Sequence, residues 1–114
     1  MTKRPGLEVL SNRADFLRAA RGHRVSTHAF LLQAWDRGDQ GPVRVGFTCS
    51  KKVGNAVARN KAKRRLREIA RLVLPDEAHR GYDFVLVGRP EKTARHAFGA
   101  MVSDLSAGLQ QVIK

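Results

Sequence analysis

Apolar residues recur at intervals of three and four positions in three segments of the chain, which is the spacing of one helix face. The first segment follows Ser11 and Asn12, either of which can cap a helix, and Gly22 ends it. Pro75 is predicted to close the second segment, because proline lacks the backbone N–H that a helix needs. The predicted helices span residues 12 to about 21, 55 to about 74, and 93 onward.

Between and after the first two helices the pattern becomes that of β-strands. Residues 28–35 form an apolar run, and a segment rich in turn-forming residues follows it. From 43 to 50, apolar and polar side chains alternate, which predicts a half-buried strand antiparallel to the preceding one. Residues 83–88 contain the fully apolar run Phe84-Val85-Leu86-Val87, which is typical of a buried strand. Val25 and its neighbours could add a short strand, and the pattern leaves that open.

This order of elements predicts an α+β protein, a two-layer sandwich whose helices all pack on one sheet. The 114 residues suit a single domain, 1–114, in which residues 1–10 form a loose basic leader. The lone Cys49 excludes an internal disulfide, and we interpret it as a small core residue in a reducing compartment. No apolar run approaches the ~20 residues of a membrane helix, and the first residues lack a secretion signal, so we expect a cytoplasmic protein.

Positive charge is in large excess and is concentrated in one stretch. The chain has 22 Lys and Arg against 10 Asp and Glu, a formal net charge of +12. Self-repulsion on this scale destabilises a small domain unless a polyanion neutralises it, which favours nucleic acid as a partner over an anionic membrane surface. Between positions 51 and 71, one acid, Glu68, accompanies nine basic residues. These are Lys51, Lys52, Arg59, Lys61, Lys63, Arg64, Arg65, Arg67 and Arg71.

Most of these basic residues surround the apolar stripe of the second predicted helix. Asn60, Arg64, Arg67 and Arg71 share one line along that helix, and Arg59 and Lys63 flank the line. Because the apolar stripe must face the sheet, the line faces solvent or a partner. A face that is only solvated usually mixes charges of both signs. The pattern therefore predicts a surface, ~30 Å long, for the phosphates of a folded RNA.

The segment from Ser50 to Glu68, SKKVGNAVARNKAKRRLRE, resembles the signature of the bacterial ribonuclease P protein subunit. The core of that signature is Lys-x-Gly-Asn-Ala-Val-x-Arg-Asn, followed by Lys-Arg and a further Arg. It is long and places Gly, Asn and Arg at fixed offsets, so it is specific. The resemblance covers nearly the whole chain and includes Asp15-Phe16, Arg44-Val45-Gly46 and Gly81-Tyr82-Asp83-Phe84-Val85.

The resemblance implies both a fold and a function. The fold would contain a left-handed β-α-β crossover through the basic helix, as in the second domain of a small-subunit ribosomal protein, although right-handed crossovers are the rule. The function would be that of a subunit that joins a catalytic RNA. That RNA removes the 5′ leader from precursor tRNA, and the protein assists rather than performs the cleavage.

The resemblance also implies two binding surfaces. Phe16 matches an aromatic residue of a cleft that would hold the single-stranded leader between the first helix and the sheet, and Phe30 lies on the strand beside it. Ordinary core packing is the alternative for both residues. Ala20 and Gln33 stand where relatives can have an aromatic, which predicts less base stacking here. The predicted RNA-binding residues are Lys51, Lys52, Asn55, Arg59, Asn60, Lys61, Lys63, Arg64, Arg65, Arg67 and Arg71.

We expect no catalytic and no metal-ligating residue in the polypeptide. His23, His28, His79 and His96 are scattered along the sequence, and no Cys–His zinc spacing occurs. The Mg²⁺ of phosphodiester cleavage would then be held mainly by the RNA partner. The alternative is a ribosomal-type protein or RNA chaperone that uses the same basic helix, and specificity for leader-bearing tRNA would distinguish the two. A nuclease acting alone would need a cluster of acids that the sequence lacks.

Overall fold

The computed structural model describes residues 7–113, which form a five-stranded mixed sheet with helices on both of its faces. In chain order the elements are β1 (Glu8–Val9), α1 (Arg13–Arg21), β2 (His23–Ser26), β3 (Phe30–Asp36), β4 (Arg44–Thr48), a single 3₁₀ turn (Lys51–Val53), α2 (Ala56–Glu77), β5 (Tyr82–Gly88), α3 (Lys92–Arg95) and α4 (Phe98–Val112). The α+β class predicted from the sequence is confirmed.

The strands lie in the order β1-β4-β5-β3-β2. β4 and β5 pair in parallel, and α2 connects them, so the predicted β-α-β crossover is present. β3 and β4 run antiparallel, as the alternation predicted, but they do not pair with each other. β5 lies between them and is antiparallel to β3. The reason is that residues 84–87 of β5 are all apolar, so the strand is most stable where both of its edges are paired and both faces are covered.

The helices pack on one sheet, as predicted, but they cover both faces and not one. Phe84 and Leu86 belong to the main core beneath α2 and α4. Val85 points the other way and packs with Ala19 of α1 in a second, smaller core. The arrangement therefore exceeds two layers, because a strand with apolar residues on both sides needs a helix on each.

Three predicted boundaries are corrected by the structure, and one point that the sequence left open is answered. Residues 8 and 9 form β1, and Leu10 is buried, so this end of the predicted loose leader is part of the sheet; residues 1–6 lie outside the described range. β2, which the sequence left open, is present. The second helix continues through Pro75 to residue 77, because one missing N–H near a helix end is offset by burial of the preceding turn.

The third correction is that the last predicted helix is two helices, α3 and α4, with a break at residues 96–97. Thr93 anchors α3, since its buried hydroxyl donates to the carbonyl of Ala29 (2.6 Å) and accepts from the N–H of Arg89 (2.7 Å). The carbonyls of Thr93 and His96 accept hydrogen bonds from the Arg65 side chain. The Arg65 side chain thus bonds to two backbone carbonyls that would have accepted hydrogen bonds within a continuous helix.

Cys49 packs, half-buried, against the main core, in agreement with its interpretation as a small core residue. Burial raises the pKa of its thiol, although the charge of Lys63 acts in the opposite direction. Because the thiolate is the reactive form, the thiol is less reactive than a free cysteine at neutral pH.

An ion-pair network joins the start of β5 to the neighbouring strand and loop. Asp83 is fully buried and accepts hydrogen bonds from Arg37 Nη1 (2.6 Å) and from Arg44 Nε and Nη2 (both 2.7 Å). These bonds to Asp83 raise the pKa of Arg44 further above its usual value. Arg44 also lies 3.5 Å from Asp15 of α1, which in turn pairs with Arg18. The network therefore fixes α1 over the sheet.

We predict that Asp83→Ala lowers the free energy of unfolding by about 3 kcal/mol, because it leaves two half-buried guanidinium groups without their buried counter-ion. Urea denaturation followed by circular dichroism measures the change. The control is Asp39→Ala, since Asp39 pairs with the same Arg37 but is 53% exposed. That variant should lose much less stability, because solvent screens an exposed ion pair. Equal losses in the two variants would contradict the importance of the buried pair.

Candidate nucleic-acid interface

The loop between β4 and α2 is shaped by short-range hydrogen bonds. The Ser50 hydroxyl accepts from the N–H of Lys52 (3.3 Å) and starts the 3₁₀ turn. Gly54 follows with a φ of 143°, a conformation that side-chain-bearing residues rarely adopt. The Asn55 side-chain oxygen then accepts from the N–H of Ala58 (2.9 Å) and caps α2. These bonds leave Lys51 and Lys52 exposed at the helix entrance.

Asn55, which the sequence predicted as an RNA-binding residue, therefore has a structural task of its own. The side-chain oxygen of Asn55 accepts the hydrogen bond that caps α2. The residue is exposed, so its side-chain NH₂ group faces no such commitment. Helix capping is by itself a sufficient reason for an asparagine at this position.

The 22 residues of α2 include a buried stripe and a basic surface, and the apolar Val57 and Leu72 are exposed. The buried stripe is apolar and consists of Ala62, Leu66, Ile69, Ala70, Val73 and Leu74. On the opposite side, Asn60, Arg64, Arg67 and Arg71 are all exposed, as is Lys61. This line follows the helix for much of its length of ~33 Å. We call the exposed residues Lys51, Lys52, Asn60, Lys61, Arg64, Arg67 and Arg71 the basic face.

The remaining predicted basic residues lie at the flanks of α2. Arg59 and Lys63 are half-buried. Arg65 turns away from the basic face: its Nη1 and Nη2 donate to the carbonyls of Thr93 and His96 at 2.8 Å each. It also lies over the ring of Phe98, 5.8 Å from the centroid. The guanidinium of Arg65 therefore holds α3 and α4 against α2, which the charge pattern alone did not reveal.

Phe16 lies on the other side of the sheet, where α1 crosses it. A Cβ atom on Gly46 of β4 would lie only 2.5 Å from the Phe16 ring, so the ring rests directly on this glycine. A Cβ atom on Gly22, at the end of α1, would overlap the carbonyl oxygen of Ala34 on β3. These two glycines allow α1 to lie close to the sheet.

Beside α1 the sheet has a partly open surface, which we call the α1 cleft and define by Phe16, Leu31, Gln33 and Val87. All four side chains are half-buried. Leu31 pairs with Val87, and Gln33 pairs with Val85, so the three strand residues share the face on which α1 packs. The cleft offers the aromatic ring of Phe16, the apolar side chains of Leu31 and Val87 and the amide of Gln33, and the half-buried Trp35 packs against the same small core.

Phe30 does not belong to this cleft. It is 0% exposed and packs in the main core, on the opposite face of the sheet from Phe16. Successive residues of a strand point to opposite faces, so Leu31 and Gln33 reach the cleft and Phe30 does not. Core packing, the alternative reading of Phe30, is the one that the structure supports.

Two arginines at the edge of the α1 cleft were not anticipated. Arg24 of β2 is the register partner of Gln33 and is exposed. Arg89 follows Val87 by two positions, and its Nη2 donates to the Ser26 hydroxyl (2.5 Å). If the alternation of β5 is extended past residue 88, Arg89 falls on the same face as Val87, so the sequence contained a signal for it. The position of Arg24 depends on β2, a strand that the sequence left open.

Two histidines that are distant in the sequence meet in the structure: the ring centroids of His28 and His96 lie 4.5 Å apart, and His96 Nε2 lies 3.8 Å from Asp104 Oδ2. Within residues 7–113 no group of three or more His, Cys, Asp and Glu side chains could hold a metal ion. No helix in that same range is long and apolar enough to cross a membrane.

Comparisons with known proteins agree with this arrangement. The Ribonuclease P family model matches residues 5–112. The chain is 54% identical over 109 residues to the "Ribonuclease P protein component" of Ruegeria pomeroyi, covering 94% of this chain and 87% of that one. It is 48% identical over 103 residues to the protein of the same name from Gluconacetobacter diazotrophicus, covering 90% and 88%.

Solved structures show the same fold. The ribonuclease P protein of Thermotoga maritima superposes with a TM-score of 0.77 and 28% identity, over 94% of this chain and 99% of that one. The protein from Staphylococcus aureus gives a TM-score of 0.71 and 26% identity, over 93% and 97%. The family model, the relatives and the shared fold lead to one conclusion: the chain belongs to the family of ribonuclease P protein components, subunits of the ribonuclease that processes tRNA.

Proposed function

We propose that this chain binds the catalytic RNA of ribonuclease P through its basic face and the 5′ leader of precursor tRNA through its α1 cleft. In doing so it assists the Mg²⁺-dependent cleavage that produces mature tRNA 5′ ends in the cytoplasm. The observation that carries the proposal is the exposed line of Asn60, Arg64, Arg67 and Arg71 on α2, opposite a fully apolar buried stripe.

The basic face suits a phosphate backbone better than a base edge. Its arginines and lysines project from one rigid helix and its entrance loop, so they can contact several phosphates at once. Each contact releases counter-ions from the RNA, which makes the affinity strongly salt-dependent. The bound phosphates also remove the repulsion among like charges three and four residues apart on α2.

The α1 cleft suits a single strand. The half-buried ring of Phe16 and the apolar residues Leu31 and Val87 can stack with unpaired bases, and Arg24 and Arg89 at the edge can meet phosphates. Because β4 ends beside the cleft and leads into the loop that starts α2, the loop connects the two proposed surfaces. The leader and the catalytic RNA would thus contact adjoining parts of the domain.

The chain's own contribution to cleavage would be electrostatic. We assign the metal ions of the reaction mainly to the RNA partner, whose phosphates supply the oxygen ligands that Mg²⁺ prefers. The basic face would lower the repulsion between phosphates of the RNA and of the substrate, which raises both the affinity for substrate and the occupancy of metal ions held by the RNA.

The first test is Arg64→Ala with Arg67→Ala, measured as the affinity for in vitro-transcribed catalytic RNA over a range of salt concentrations. Losing two charged contacts, at roughly 1 kcal/mol or more each, should weaken binding at least about tenfold and flatten the salt dependence. The same RNA and protein are then assayed for 5′-leader removal at low Mg²⁺, where the double variant should lose most of the stimulation.

The matched control is Arg13→Ala with Arg80→Ala, which removes the same charge from exposed positions outside α2. It should change the RNA affinity much less than the α2 variant. A similar loss in both pairs would mean that net charge, and not the basic face, determines binding.

The second test is Phe16→Leu, which keeps apolar volume over Gly46 but removes the aromatic ring. In the assembled ribonucleoprotein, the preference for precursor over mature tRNA should fall about fivefold or more, as expected when about 1 kcal/mol of stacking is lost. Assembly with the catalytic RNA should not change. Leu17→Ala serves as the control, since Leu17 is the next residue on α1 and is exposed.

The outcome also separates the proposal from a general RNA-binding role. If Phe16→Leu and the α2 double variant weaken assembly equally, the division into two surfaces is wrong. If wild-type protein binds RNA tightly but does not distinguish precursor from mature tRNA, the chain acts as a general RNA-binding protein.

A further inference from the structure

A small pocket with mixed chemistry lies beside the basic face, between α2 and the start of α4. Glu68, Arg71, Leu72 and Phe98 line it, and its volume is about 210 Å³. Typical sites for whole small-molecule ligands measure about 300–1,000 Å³, so this pocket suits a single flat group. Arg71 belongs to the basic face, which places the pocket where RNA is proposed to bind.

Glu68 is unusual in this setting. It is the one acid in a stretch with nine basic residues, and Arg64, Arg65 and Arg71 lie three or four positions away on the same helix. Even so, within the part of the chain that the structure describes, its carboxylate forms no ion pair and no hydrogen bond. Both oxygens of an exposed carboxylate beside an RNA surface are therefore free to accept hydrogen bonds.

Two of the four residues that line the pocket, Leu72 and Phe98, are apolar. Leu72 is 55% exposed, although it is a large aliphatic residue. Phe98 is held by Arg65, whose guanidinium lies over the ring and is itself bonded to two backbone carbonyls. An aliphatic and an aromatic side chain facing a narrow pocket can enclose a planar ring.

We propose that this pocket binds an unstacked guanine base of the RNA partner, with the Glu68 carboxylate accepting hydrogen bonds from its N1–H and N2–H groups. Guanine is the base whose Watson–Crick edge presents two adjacent N–H donors to the two oxygens of a carboxylate. Arg71 at the rim is placed to meet the phosphate of the same nucleotide. The inference rests on the proposed RNA-binding role of α2 and adds base recognition to it.

A nuclear magnetic resonance titration of the full chain with GMP, IMP and AMP tests the proposal. IMP differs from GMP only by lacking the N2 amino group. GMP should shift the Leu72 methyl and Phe98 ring signals and should bind about fivefold more tightly than IMP or AMP, the discrimination expected of a bidentate base contact.

The decisive variant is Glu68→Gln, with Glu8→Gln as a control that removes an exposed acid elsewhere. If Glu68 only repels phosphate, its removal tightens binding of all three nucleotides. The proposal requires the opposite for GMP, namely binding about fivefold weaker than in the unmodified protein and the control.

Three results would overturn the inference: unshifted Leu72 and Phe98 signals with GMP, equal binding of the three nucleotides, or tighter GMP binding by Glu68→Gln. None of these would affect the proposal for the basic face, because the titration contains no catalytic RNA and leaves Arg64 and Arg67 intact.

Discussion

The seven residues of β5 run through the middle of the sheet, and the other elements are arranged around them. Because Phe84 and Leu86 point to one face and Val85 and Val87 to the other, both faces need an apolar cover. α2 and α4 cover one face, and α1 covers the other. At the start of the strand, Asp83 binds Arg37 and Arg44, which fixes the neighbouring strand and the loop before it. The separation of the two proposed RNA surfaces follows from this single doubly covered strand.

Because α2 carries most of the excess positive charge, its stability depends on packing against the rest of the domain. A helix with this many like charges gains little stability on its own, so its place depends on the apolar stripe that packs against the sheet and α4. Arg65 shows that charge also contributes to packing, because its guanidinium bonds to carbonyls left by the break between α3 and α4. On the exposed side Arg67 lies over the ring of Phe47, 5.8 Å from its centroid, and a polyanion would neutralise the charges of the basic face.

The two proposed surfaces differ in their chemistry as well as their position. The basic face is a rigid helix with charges in line, suited to reading the shape of a folded backbone. The α1 cleft is apolar, half-buried and lined by Phe16, suited to bases that are not paired. The pocket at Glu68 has both charged and apolar groups. The Glu68 carboxylate and Arg71 of the basic face line it together with the apolar Leu72 and Phe98.

Local patterns in the sequence were sufficient for the helix caps, the buried stripe of α2, the exposed line of arginines and the family. These features depend on residues within a few positions of one another, and hydrogen-bond caps and helical periodicity act over that distance. The motif from Ser50 to Glu68 is likewise continuous in the sequence.

Tertiary structure alone decided the features that depend on contacts between distant segments. The sequence could not place β5 between β3 and β4, because strand order follows from long-range pairing and not from periodicity. The same holds for Phe30, whose side of the sheet depends on strand register, and for Arg65, whose carbonyl partners lie about 30 positions away. A residue's type and spacing show which chemistry it can perform, but the packing of the remaining chain determines which groups that chemistry meets.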